Sequence, residues 1–186
     1  KEIKPGTTKQ VILKNKFLFL SLLLRHIGAA AVWVILPIMI VEKLGGELYH
    51  ISIVYVANTM TAFILMNIMA SKIHLSNVTK FKIGIGCTTF VFVGLSIVTE
   101  WWMAMPFMAL VGATWAFLFI GGNFHLMENN PRSTSTGIFS STLSIATVIG
   151  PIVAGTIAFV FDYVSVMYFA IGIIVIAFIV SLKIKN

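Results

Sequence analysis

Residues Ser133–Phe161 read STSTGIFSSTLSIATVIGPIVAGTIAFVF, a run without a single Asp, Glu, Lys or Arg. A helix crossing the hydrocarbon core of a bilayer needs about 20 mostly apolar residues. This run exceeds that length. Strands of a membrane barrel would instead alternate polar and apolar residues in segments of about 10. The run is apolar on both faces, so it reads as a helix. Working outward, Tyr163–Leu182, Trp101–Met127, Ile83–Thr99 and Ile51–Ser71 are likewise free of charged side chains. Phe17–Val41 is a further apolar run, interrupted by Arg25 and His26. The expectation is an all-α membrane protein of six transmembrane helices, with spans near 17–41, 51–70, 83–99, 101–121, 137–161 and 164–182.

Composition agrees. Of 186 residues, 59% are hydrophobic and 10% charged, and the mean hydropathy is +1.00. A soluble domain is about 25% charged and has no interior large enough to hide so much apolar surface. The single cysteine, Cys87, permits no internal disulfide. A cleavable signal peptide fits badly, because the first apolar run starts at residue 17 and five more follow.

The net charge of +7 would suggest nucleic acid in a soluble protein, but its distribution argues for a topology signal. Alternating the loops between two sides puts Lys1, Lys4, Lys9, Lys14, Lys16, Lys72, Lys80, Lys82, Arg132, Lys183 and Lys185 together. Only Lys43 falls opposite, with Arg25 left inside a span. Glu42, Glu47, Glu100 and Asp162 lie on the side of Lys43. Cytoplasmic loops are enriched in Lys and Arg. Both termini are therefore expected in the cytoplasm of a multi-pass plasma-membrane protein, with the bilayer as partner and no nucleic acid. Tyr49, Trp101 and Trp102 fall at outer ends, where aromatic rings favour the headgroup level.

Residues 1–16 read as a Lys-rich cytoplasmic linker with a Pro5-Gly6 turn signal, and 183–186 as a cytoplasmic tail. Within the spans, Arg25 stands out. It lies about 12 Å into the first span at 1.5 Å per residue. Charges at depth are costly and usually face a bundle interior or a wet cavity. Arg25, Ala29 and Trp33 share one helical stripe, with Gly28 beside them. Arg25 is thus a candidate for anion binding or gating in a translocation path. The alternative is a structural Arg that snorkels to the cytoplasmic face. His26 should point about 100° away from Arg25, and a proton-relay role for it has no intramembrane carboxylate to work with.

Asn58, flanked by Tyr55 and Thr59, can line a cavity or merely bond a neighbouring helix. Trp115, mid-span, can stack on a substrate or pack. In the fifth span, Ala146, Gly150 and Ala154 recur four apart, as do Gly137 and Ser141. Such small residues let helices approach closely. Pro151 should bend the helix. His125, Glu128 and Arg132 read as a solvated turn between the fourth and fifth spans. No cluster has metal-ligand spacing and no phosphate-binding loop precedes a Lys-Ser/Thr pair. No enzyme activity, cofactor or metal is expected.

Several of these features together resemble the major facilitator superfamily of transporters. Arg132, four intervening residues and Gly137 are similar to that family's Arg-x4-Gly start of a half's fifth helix. Gly150-Pro151 and Gly155 resemble its Gly-Pro-x-x-x-Gly segment, and Arg25-His-Ile-Gly28 through Trp33 and Pro37 an opening helix of prokaryotic or archaeal members. The departure is between the second and third spans. There the family's Gly-x-x-x-Asp-Arg pattern is reduced to basic character at Lys72, Lys80 and Lys82. The resemblance implies one six-helix half, the C-terminal one, of a secondary transporter working by alternating access, with small-molecule substrate bound between two halves. The absence of a starting Met and the Lys-rich lead-in fit that expectation. It makes Arg25, Trp33, Asn58 and Trp115 pathway candidates, with Gly137, Gly150, Pro151 and Gly155 as packing and bending positions. Two other readings remain at this level: a complete six-helix protein transporting as a homodimer, and a non-transport membrane assembly subunit.

Overall fold

The computed structural model describes residues 8–71 and 73–185. Its helices are α1 (Thr8–Lys14), α2 (Lys16–Glu42), α3 (Leu48–Ser71), α4 (Asn77–Ser96), α5 (Ala104–Asn129), α6 (Arg132–Val160) and α7 (Tyr163–Ser181), with a single 3-10 turn at Trp101–Met103. No strand occurs among the described residues. Helices α2 to α7 are each long and apolar enough to cross a membrane. The protein therefore has the all-helical architecture of a six-helix, multi-pass membrane protein. Helices suit this setting because every backbone N–H and C=O is satisfied within the segment.

Helix ends extend beyond the charge-free runs. Helix α4 starts at Asn77 instead of near 83, and α6 at Arg132 instead of near 137. A charge-free run marks the hydrocarbon core, whereas a helix continues into the interface, where Lys and Arg stems reach toward water. The start of α4 is fixed by Ser76, whose hydroxyl accepts from the Thr79 amide at 3.2 Å. Asp162 caps α7 in the same way, accepting from Ser165 N at 2.7 Å. The Ser165 amide, its main partner, holds its pKa below the ordinary Asp value against a smaller opposing effect of desolvation. Pro106 lies in the first turn of α5, where its missing N–H costs nothing. Pro37 and Pro151 sit inside continuous α-helix.

The linker expected over 1–16 is corrected in part. Residues 1–7 lie outside the described residues, but 8–14 form helix α1, with Val11 buried. Asn15 joins α1 to α2, donating from its side chain to Val11 O at 2.9 Å while its own carbonyl accepts from Leu18 N. The expected turn holding His125, Glu128 and Arg132 is also corrected. His125 and Glu128 lie in α5, Arg132 opens α6, and only Asn130 and Pro131 separate the helices. Lys80 is a buried residue of α4, not a loop residue, and Lys72 lies outside the described residues.

Five packing interfaces dominate: α2 with α7, α2 with α6, α4 with α5, α3 with α5, and α4 with α7. This set is unchanged when each spanning helix is exchanged for the one three places on. Helix α2 corresponds to α5, α3 to α6 and α4 to α7. The bundle is therefore two three-helix groups, α2/α6/α7 and α3/α4/α5, joined along the α4–α7 seam. Three is an odd number of crossings, so corresponding helices run in opposite senses through the membrane. No repeat is visible in the residues themselves. On the side away from the seam, the α2–α3 and α5–α6 interfaces are small.

Glycine sets the closest crossings. A Cβ on Gly150 of α6 would lie 2.6 Å from Ala30 Cβ and 2.7 Å from Ile27 O of α2. Ala146 and Ala154, four residues to either side, are fully buried. The expected small-residue stripe is thus an α2–α6 contact. Gly137 and Gly155 depart from the packing expectation. A Cβ on either would meet nothing within 4 Å, because both face outward from the chain.

The charges sort to the two ends of the bundle. At one end Lys183 lies over the Phe17 ring, and Lys82 Nζ donates to Ile184 O at 2.9 Å. At the other, Tyr163 Oη donates to Glu42 Oε2 at 2.9 Å, and Lys43 lies over the Tyr163 ring. His50 stacks on Trp101 there with ring centroids 3.8 Å apart.

Candidate functional site

Opposite the seam, between the two three-helix groups, lies a cavity of about 350 Å³. Small-molecule sites span about 300–1,000 Å³ and are mostly apolar with a few placed polar groups. Helix α2 contributes Arg25, His26, Ala29, Ala30, Trp33 and Val34 to the wall. Helix α3 contributes Asn58, α5 contributes Val111 and Trp115, and α6 contributes Thr147 and Pro151. Each of these positions is close to the middle of its helix. The cavity is therefore at mid-bundle, far from either charged end.

All four pathway candidates, Arg25, Trp33, Asn58 and Trp115, border this one space. They come from three helices and from positions up to ninety apart in sequence. The stripe Arg25, Ala29, Trp33 does face one way, into the cavity. Of the helix-packing positions, Pro151 lines the cavity and Gly150 lies against α2. Arg132 stands apart, exposed at the basic end beside Glu128.

Arg25 is 2% exposed. Its Nη2 donates to Thr88 Oγ1 at 3.3 Å, and that hydroxyl in turn donates to Gly84 O at 2.6 Å. The guanidinium carbon lies 5.6 Å from the centre of the Trp115 ring. Its Nε is buried without a hydrogen-bond partner, and no carboxylate among the described residues pairs with it. A snorkelling arginine would reach the interface, but this one is held inside the bundle. Insertion of such a charge near the bilayer centre costs about 2.5–3.5 kcal/mol. One neutral hydrogen bond and one aromatic face offset only part of that.

His26 does not point away from the site as its neighbour spacing suggests. Its ring lies 5.5 Å from Trp115, its Nδ1 is buried without a partner, and it shares the cavity wall with Arg25. Two long side chains one residue apart can both reach a space that is wide relative to the helix radius of about 2.3 Å.

Around the rim, hydrogen bonds tie α3 to its neighbours. Tyr55 Oη donates to Trp33 O at 2.8 Å across the sparse α2–α3 boundary, and the two rings meet edge-on at 5.0 Å. Asn58 Nδ2 donates to Met108 O of α5 at 3.3 Å. Asn58 thus both bonds a neighbouring helix and lines the cavity. Thr88 and Thr147 were not singled out by sequence, since a lone Thr in an apolar span usually bonds back into its own helix. Thr88 does that and also holds Arg25.

No protein-family model, curated protein or solved structure matches this chain.

Proposed function

We propose that this chain is one six-helix half of a secondary transporter that moves a small molecule across a membrane by alternating access. The observation that carries the reading is the mid-bundle cavity, with Arg25, His26 and Asn58 on its wall and an unpaired guanidinium at its edge. A protein that only needs to pack has no reason to keep such a charge at depth. The three-plus-three neighbour pattern supports the same reading, because inverted repeats with a site at their midplane interface are the architecture of many secondary transporters. The sequence resemblance to the major facilitator superfamily agrees with both.

The rest of the path comes from a second six-helix half, either continuous with this chain or a second subunit. Helices α3 and α6 flank the cavity and are largely uncovered by the rest of the chain, whereas most of α2 is buried. That uncovered surface is where the second half sits. The basic end faces the cytoplasm, with both ends of this chain there, following the Lys and Arg bias.

The test uses the full protein in membrane vesicles. Cys87 is first replaced by Ser, and Ala29→Cys then places one thiol on the cavity wall. Alternating access predicts reaction with a membrane-impermeant thiol reagent from both sides of the membrane. Reaction from neither side, or from one side only, contradicts it.

A further inference from the structure

Resting on that transport reading, we infer that the cavity selects a small organic monoanion, a carboxylate on a flat apolar body. The cavity holds one strong cation and no acid. Arg25 lines the cavity, gives Nη2 to Thr88, and has neither a carboxylate nor a partner for its buried Nε among the described residues. A guanidinium matches the two oxygens of a carboxylate in plane, and such charge-assisted pairs are the strong ones. The ligand's charge would then complete a pairing that the chain itself leaves unmade.

Apart from His26, Asn58 and Thr147, the remainder of the wall is apolar and defines the body of the ligand. Trp33 and Trp115 supply aromatic surface, and Ala29, Val34 and Val111 supply aliphatic surface. Flat rings pack on such faces at little entropic cost. A second anionic group would find no second cation at the cavity wall, so a dianion is disfavoured. A cationic ligand would sit against Arg25 without a carboxylate to hold it. A fatty acid drawn from the bilayer carries the same headgroup, so ring and chain have to be separated experimentally.

The experiment measures protection of the Ala29→Cys thiol in the Cys87→Ser background, using the full protein in vesicles. The probes are benzoate, benzylammonium, benzyl alcohol and laurate. Benzoate should slow labelling at least tenfold at saturation, while benzylammonium and benzyl alcohol should not. Laurate should need at least tenfold more than benzoate for equal protection. Arg25→Gln should raise the benzoate concentration for half-protection at least tenfold, and Arg25→Lys, which keeps the charge without the fork, by less.

Equal protection by benzylammonium, stronger protection by laurate, or an unchanged benzoate response in Arg25→Gln would each overturn the inference. Direct binding of radiolabelled benzoate covers the case in which an Arg25 variant fails to assemble. Unaltered protein must bind it in preference to benzylammonium, and absence of that preference overturns the inference. The two readings fail separately. Two-sided labelling without benzoate protection sinks the anion site alone, and one-sided labelling with benzoate binding intact sinks alternating access alone.

Discussion

The α4–α7 seam and the cavity opposite it are built from different helices by opposite means. At the seam Gly86 of α4 meets the Phe178 ring of α7, and Ile85 and Phe92 of α4 and Ile174 and Ala177 of α7 are buried and apolar. Around the cavity, two helix pairs barely touch, and the polar groups Arg25, His26, Asn58 and Thr147 stand at the gap. In a bilayer, lipid is as apolar as leucine, so close packing and hydrogen bonds hold helices together. A region that gives up packing and retains an unpaired cation therefore forgoes stability, and the proposed ligand would make up that loss. The comparison also separates two kinds of small residue on one helix. Gly150 is a contact, whereas Gly155, one turn on, is open surface.

The largest expected effect breaks the packed side of the comparison. Gly150→Leu drives a side chain into Ala30 and the α2 backbone, and should cost about 3 kcal/mol of stability in detergent. Gly155→Leu should stay within about 0.5 kcal/mol of the unaltered protein. Thermal unfolding of the two variants side by side checks both. The next effect has the opposite sign. Arg25→Met removes a buried unpaired charge and leaves Thr88 bonded to Gly84 O. It should raise stability by about 2 kcal/mol while abolishing benzoate protection. A loss of stability would mean that Arg25 is a structural tie after all.

A smaller effect sharpens the boundary between the two groups. Tyr55→Phe removes the hydroxyl bond to Trp33 O that bridges α2 and α3. The expected cost is about 0.6 kcal/mol, the usual value for a bond between membrane helices. Faster labelling of a cysteine at Ala29 should accompany it. The smallest effect lies outside the membrane. The pKa of Asp162 is depressed in the folded protein, so its capping contribution is present above the ordinary Asp range. It is lost as pH falls through the lowered folded value. Asp162→Asn keeps an acceptor for Ser165 N and should flatten that acid limb in a pH series of unfolding temperatures.

The number of spans was legible because a run such as Ser133–Phe161 has only one physical use. The depth of Arg25, Trp33, Asn58 and Trp115 was legible as well, since rise per residue is fixed. Rotation was not. Helices apolar on all sides carry no stripe to orient them, so His26 was expected to face elsewhere, and Gly137 looked equivalent to Gly150. Nor could sequence show that Thr88, sixty-three residues from Arg25, is the group that holds it. The starts of α4 and α6 lie outside the charge-free runs because an interface tolerates Lys80, Lys82 and Arg132 in helical turns.

The most direct test sets a cysteine on the cavity wall against one in the packed α2–α7 contact. In the Cys87→Ser background, Ala29→Cys lies on the cavity wall, and Ala170→Cys is fully buried on α7 near Gly28. A charged, membrane-impermeant thiol reagent is applied to vesicles of each orientation. The account predicts that Ala29→Cys reacts from both sides and that Ala170→Cys reacts from neither. Equal, negligible reaction at both positions would mean that the cavity is as dry as the packed α2–α7 contact, and would contradict the claim that this bundle is built around a path.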